Sequence, residues 1–152
     1  MQSVVHFEMP YDDRERMAKF YKTTFGWKIQ MLDEDMGNYV VATTAESDEK
    51  GPKRPGAING GFYKRQPGEA MCPSFVIAVE DIKKATRKIT AAGGKMLGEA
   101  MEITGIGQYA NFADTEGNEL SILQPNRRDW RAVKSEKGRP KKRQTRRQRT
   151  IR

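Results

Sequence analysis

Hydrophobic and polar positions alternate with period two over VVHFEMP. Val5, Phe7 and Met9 fall on one side and His6 and Glu8 on the other, which predicts a half-buried strand. The period then changes. Met17, Phe20, Tyr21 and Phe25 recur at helical spacing, predicting a helix capped by Asp12 or Asp13, whose acidic side chains suit its N-terminal dipole. Gly26 follows, and can supply the left-handed residue that ends a helix. GWKIQML and NYVVATT read as strands, and INGGFYK as a third edge of the same sheet. AESDEKGPKRPG between the last two is a polar loop, and RQPGEAMCP a linker.

The same order then repeats. SFVIAVE is a strand with Phe75, Ile77 and Val79 on one face, and DIKKATRKITAAGG a helix ending in a double glycine. KMLGEAMEI leads into GQYANFAD and NELSILQ, joined by the turn T-E-G-N with Gly117 where a tight hairpin needs positive φ. Asp13 aligns with Asp81 and Gly26 with Gly94 at one offset of 68 residues, which sets His6 opposite Ser74. Each half reads β-α-β-β-β, so the expected class is α+β with two similar curved sheets. The expected domain covers residues 1–126, with modules about 1–66 and 73–126. Phe20, Tyr21, Phe25 and Trp27 read as core packing. Gly60 and Gly61 precede no helix, so they are no phosphate loop; they let a strand bend or a ligand approach the backbone.

Composition narrows the classes. The 152 residues hold no run of about 18 apolar positions, so no transmembrane helix is expected. The N-terminus lacks the basic and apolar regions of a signal peptide, which makes a cytoplasmic location the expectation. Cys72 is the single cysteine, excluding an intramolecular disulfide and a cysteine metal cluster. Charge is divided sharply. Residues 1–126 carry 15 Lys/Arg against 18 Asp/Glu, and residues 127–152 carry 13 against 2. From Lys134 onward apolar residues are so few that the tail is expected to be disordered in isolation. Its KGRPKKR stretch is similar to an AT-hook, making Lys137, Arg139, Lys141, Lys142 and Arg143 candidate nucleic-acid contacts. Nonspecific phosphate contact through counterion release requires no motif at all.

With the strands in place, the chain resembles the vicinal oxygen chelate superfamily, which includes glyoxalase I, bleomycin-resistance proteins and extradiol dioxygenases. The resemblance is carried by VVHFEMP, FYKTTFGWKI, AINGGFYKR, VEDIKKATRKITAAGGKM and above all FADTEGNELSILQP. It implies two modules rolled around a central cup that holds a ligand, often with a divalent metal. The family's four ligand positions, typically His, Glu, His and Glu, fall here on His6, Asn59, Ser74 and Ser121. Only the first is a strong donor, and zinc or nickel needs three or four nitrogen, sulfur or carboxylate donors. A tight catalytic metal is therefore not expected. Glu8 and Glu119, two residues along from His6 and Ser121, aim into the same cup and offer a variant set with His6. Each is displaced from the family position by ~7 Å.

The cup wall otherwise comprises Asn59, Gly61 and Tyr63; Ser74, Val76 and Ala78; Tyr109, Asn111 and Ala113; and Glu119, Ser121 and Leu123. Tyr39 takes the place in the first module that Tyr109 takes in the second. Aromatic walls with neutral hydrogen-bond groups suit a small polar or aromatic molecule. Three functions stay open. In an enzyme, a lyase, isomerase or dioxygenase of this superfamily, His6 acts as base or weak metal ligand with Glu8 and Glu119 orienting it, while Tyr63, Tyr109 and Asn111 hold substrate. A drug-resistance type of binder uses the same cup without chemistry, and a nucleic-acid-associated protein acts through its tail. The resemblance also leaves open a cup closed within one chain or completed across a homodimer.

Overall fold

The computed structural model describes residues 1–126. The first module contains β1 (Val4–Tyr11), α1 (Arg14–Phe25), β2 (Lys28–Met31), β3 (Val40–Thr43), the short pair β4 (Ser47–Asp48) and β5 (Gly51–Pro52), and β6 (Gly60–Lys64). The second contains β7 (Ser74–Ala78), α2 (Ile82–Ala91), β8 (Lys95–Met96), β9 (Met101–Ile103), β10 (Gly107–Ala113) and β11 (Glu119–Pro125).

Of the two expected caps, Asp13 starts α1, accepting the Arg16 backbone N–H at 2.9 Å. Asp12 instead takes a two-point grip on Arg65, at 2.8 and 3.1 Å, tying the end of β6 to the end of β1. Gly26 closes α1 with φ 69°, as its position predicts. In the second module Asp81 repeats the Asp13 cap on Lys84 at 2.8 Å. The left-handed residue after α2 is Gly93, at φ 92°, rather than the aligned Gly94.

The main sheet runs β2-β3-β6-β1-β7-β11-β10-β8, with β9 on the far part of β10. INGGFYK is thus no edge. It lies inside the sheet, parallel to β1, with Glu8 opposite Gly61. A parallel pair needs a long connection, and the rest of the module supplies it. The two expected sheets are also one, because β1 and β7 pair antiparallel across the module boundary. Phe7 stands opposite Phe75 in that pair, so the pseudo-twofold axis of the duplication passes between two residues that are copies of each other.

Both helices lie on one face. Tyr11, Val40, Ala42 and Phe62 form the buried core under α1, with Phe7, Met9, Met17, Tyr21 and Trp27 packed on it. Val79, Ile82, Ala85, Ala110, Phe112 and Ile122 form its counterpart under α2. The aromatic group divides against expectation: Tyr21 and Trp27 reach the core, whereas Phe20 and Phe25 remain 53 % and 58 % exposed. A helix on one face of a sheet buries a single stripe, here Met17, Ala18 and Tyr21. Phe20 packs edge-on and Phe25 at a tilt against the flank of Tyr21. Since strand side chains alternate, His6 and Glu8 project from the opposite, helix-free face. The basic tail and its candidate contacts Lys137 to Arg143 lie outside the described residues.

Candidate functional site

Strand alternation and register place the expected residues on the helix-free face. The pairing Glu8–Gly61 in β1·β6 and Val76–Ser121 in β7·β11 makes Gly61, not Asn59, the counterpart of Ser121. Extending the register through β3 and β10, where Val41 faces Gly61 and Asn111 faces Ser121, makes Tyr39 and Tyr109 counterparts, as the sequence implied.

These residues build one continuous polar chain. His6 Nε2 lies 2.9 Å from the Tyr39 hydroxyl, and that hydroxyl 3.5 Å from Glu8 Oε1. On the other side the Tyr109 hydroxyl donates to Glu8 Oε2 at 2.8 Å. Tyr109 then meets Ser121 Oγ at 2.6 Å, and Ser121 meets Asn111 Oδ1 at 2.8 Å. Glu8 is therefore gripped by two tyrosines related by the pseudo-twofold, one from each module. The reach reports curvature. Glu8 and Tyr109 sit three strand spacings apart, ~14 Å in a flat sheet, too far for a 2.8 Å contact unless the sheet bends towards this face.

Gly61 makes the first-module half possible. A Cβ there would lie 2.1 Å from the Tyr39 hydroxyl oxygen. The phenol thus occupies the volume where the counterpart of Ser121 would project. Burial is deep enough to alter the titrating groups. It pushes Glu8 up from the ordinary carboxylate value, against the lowering effect of the two tyrosine bonds. It lowers His6, favouring neutral imidazole, and with the Glu8 charge it pushes both phenols up, so Tyr39 and Tyr109 remain protonated donors.

Other expected residues stand apart. Asn59 spends its amide on the loop, accepting from the Thr44 backbone at 2.9 Å and donating to Ser47 at 2.8 Å. Ser74 donates to the Glu119 carbonyl at 3.1 Å. The Glu119 side chain is exposed at the end of β11, and among the described residues no three of His, Cys, Asp and Glu gather as a metal cluster. The variant set of His6, Glu8 and Glu119 is thus not assembled. Nor do the family positions fit a divalent ion, because they supply one imidazole, a bare Gly61 and two neutral hydroxyls already engaged. Tyr63 is half-buried, its hydroxyl pushed up first by burial and then by Glu69, Glu8, Cys72 and Glu119. Neither the cavity of about 330 Å³ beside Asp13, Met17 and Phe20 nor the groove of about 1030 Å³ beside Asp81, Lys84 and Gln124 includes any member of the polar chain.

Sequence reasoning selected Glu8, Tyr39, Tyr109, Asn111 and Ser121 but did not connect them. It gave Gly61 no more than backbone duty. A signal existed in the paired tyrosines, one of which faces a glycine and the other a serine.

Comparison with known proteins gives the chain's relatives and the fold it shares with solved structures. Residues 3–45 match the bleomycin resistance protein-like N-terminal family. A glyoxylase-like domain-containing protein of Didymella fabae is 33% identical over 119 residues, covering 76% of this chain and 88% of that protein. The anthracycline biosynthesis protein DnrV of Streptomyces peucetius is 26% identical over 125 residues. A putative glyoxylase of Mycobacterium bovis is 24% identical over 119. This chain spans 44% and 42% of those two relatives. A methylmalonyl-CoA epimerase of Streptomyces coelicolor superposes with TM-score 0.62 at 14% identity, covering 83% of this chain and 96% of the epimerase. A hypothetical protein of Bacillus halodurans gives 0.61 at 14% identity, with the same coverage of each chain.

Proposed function

The chain belongs to the glyoxalase and bleomycin-resistance group of the vicinal oxygen chelate superfamily, and from that premise we propose that it binds a small, oxygen-bearing aromatic molecule on its helix-free face without a metal. One observation carries the reading: beside the positions where a metal enzyme of this fold would place its ligands, the chain has a carboxyl group, Glu8, held between two phenols. Such a site offers aromatic surface and several convergent hydrogen-bond groups, the usual make-up of a small-molecule site. The anthracycline biosynthesis relative supports choosing polycyclic quinones as the first ligands to try.

The groups present also define the chemistry open to a bound molecule. Glu8 can hold or release a proton at Oε1 or Oε2, and the tyrosines can donate to a carbonyl oxygen. His6, neutral and bonded to Tyr39, positions that phenol. No step requires a metal. Chemical-shift mapping of the full chain with anthraquinone tests the reading. Perturbations centred on Glu8, Tyr39, Tyr109 and Asn111 are expected and should weaken on Tyr109→Ala. Stoichiometric zinc, nickel, iron or manganese found by elemental analysis and lost on His6→Ala would overturn the metal-free assignment.

A further inference from the structure

The hydrogens along the polar chain do not add up when Glu8 is ionised. Tyr109 has one hydroxyl proton, and its 2.8 Å bond to Glu8 Oε2 uses it. Ser121 has one, and its 2.8 Å bond to Asn111 Oδ1 uses it. The 2.6 Å contact between those two hydroxyl oxygens is then left without a proton, though an approach that short requires one. With Oε2, the oxygen that faces Tyr109, as the carboxyl oxygen that carries any proton, two arrangements supply it. In the first Glu8 is protonated and donates to Tyr109, Tyr109 donates to Ser121, and Ser121 to Asn111 Oδ1. In the second Glu8 is ionised, Tyr109 donates to it, Ser121 donates to Tyr109, and the Asn111 amide is turned so that Nδ2 donates to Ser121.

We propose that Asn111 is the specificity-determining residue of this face, and that Glu8 sets its sense through Tyr109 and Ser121. Ser121 is buried and Asn111 exposed, so the chain runs from the interior of the site to its rim. With a proton on Glu8, Asn111 turns its NH2 outward and favours a ligand with an acceptor oxygen, such as a carbonyl or phenolate. With Glu8 ionised, Asn111 turns its carbonyl outward and favours a donor. Binding an acceptor ligand to the ionised form therefore draws one proton from solvent onto Glu8. The ligand preference rests on the reading of this face as a binding site; the link between Glu8 and Asn111 does not.

Burial acts in the same direction by raising Glu8 from the ordinary carboxylate value. The groups that share its electrostatics are His6 on its own strand, through Tyr39, together with Tyr63 from β6 and Tyr109 from β10. Glu119 at the start of β11 acts on Tyr63.

Nuclear magnetic resonance of the full chain without ligand tests the link. The Glu8 side-chain carboxyl carbon and the Asn111 side-chain amide are followed against pH. Both are expected to move with one shared midpoint above the ordinary glutamate value. Glu8→Gln should flatten the Asn111 response. Ser121→Ala, and independently Tyr109→Phe, should free Asn111 from that midpoint while Glu8 continues to titrate. An Asn111 signal flat through the Glu8 titration, or one that follows it undiminished in both variants, overturns the proposal. Absence of anthraquinone binding with the shared midpoint intact would instead overturn the small-molecule reading alone.

Discussion

Gly61→Ala isolates the contact that replaces a ligand position with a phenol. Gly61 has no positive φ, so alanine meets no backbone strain. The new Cβ would lie 2.1, 2.3 and 2.4 Å from the Tyr39 hydroxyl oxygen, Cζ and Cε1, which forces the ring off the strand. Tyr39 then gives up its bonds to His6 at 2.9 Å and Glu8 at 3.5 Å. Leaving a buried polar partner unsatisfied costs about 1–3 kcal/mol, and overpacking a further ~1–3 kcal/mol. The lower entropy of the unfolded alanine chain offsets about 0.4–1 kcal/mol. The net loss is about 1–6 kcal/mol, corresponding to a Tm lower by roughly 3–20 °C for a chain of this size. Urea unfolding monitored by circular dichroism measures it, and a double-mutant cycle with Tyr39→Ala assigns it. In the Tyr39→Ala background Gly61→Ala should be neutral or stabilising. A similar loss in both backgrounds would refute the account, since the penalty would not involve the Tyr39 ring.

Gly60→Ala is expected to cost more than Gly61→Ala in the same melts, because its Cβ meets the Phe7 ring at 2.4–2.5 Å and that ring packs in the core under α1. The Glu8→Gln variant should gain stability on the parent chain as pH rises from the unfolded carboxylate value, about 4.3, through the raised folded value. The folded chain holds that proton more tightly, so its benefit is lost with rising pH, at no more than about 1.4 kcal/mol per pH unit; a constant difference across a pH series of urea midpoints would contradict this. His6, lowered by burial, acts in the opposite sense, so His6→Asn should lessen the loss of stability as pH falls below about 6.5. A chain ending at Asn126 should bind duplex DNA far more weakly at low salt than the full chain, whose residues 127–152 hold 13 basic and 2 acidic side chains; equal retention of both in a filter-binding assay would remove the tail as a nucleic-acid contact.

The duplication was legible because period-two strands, acidic caps and glycine stops recur at one offset, and Phe7 opposite Phe75 is its direct structural trace. Legibility ended where the modules differ in loop length. The 68-residue offset holds through the first strand and helix of each module, but Gly61 and its counterpart Ser121 are separated by 60. The cause is the loop that carries β4 and β5, which is much longer than the turn at Gly117. Carrying a motif through that loop placed Asn59 at the ligand position, whereas β1·β6 pairing places Gly61 there. Period-two alternation correctly assigned faces to His6, Glu8, Tyr109 and Ser121. It could not show that Asn59 closes its own loop, nor that Glu119 lies at an exposed strand end, because both depend on where the strands stop.

The same symmetry explains why one carboxyl group, not two, occupies the site. The counterpart of Glu8 is Val76, buried at 2 % exposure on the neighbouring strand. Glu8 is paired with Ser74, so Val76 is its diagonal neighbour, within ~7–8 Å. With a carboxyl group at both places, two like charges would share one desolvated face and could not readily ionise together. Valine at residue 76 avoids that conflict, and the two symmetry-related tyrosines converge on a single acid. The symmetric part of the module thus supplies the paired donors, and the broken part supplies the single carboxyl group between them. That division leaves a single titratable carboxyl group between two symmetry-related phenol donors.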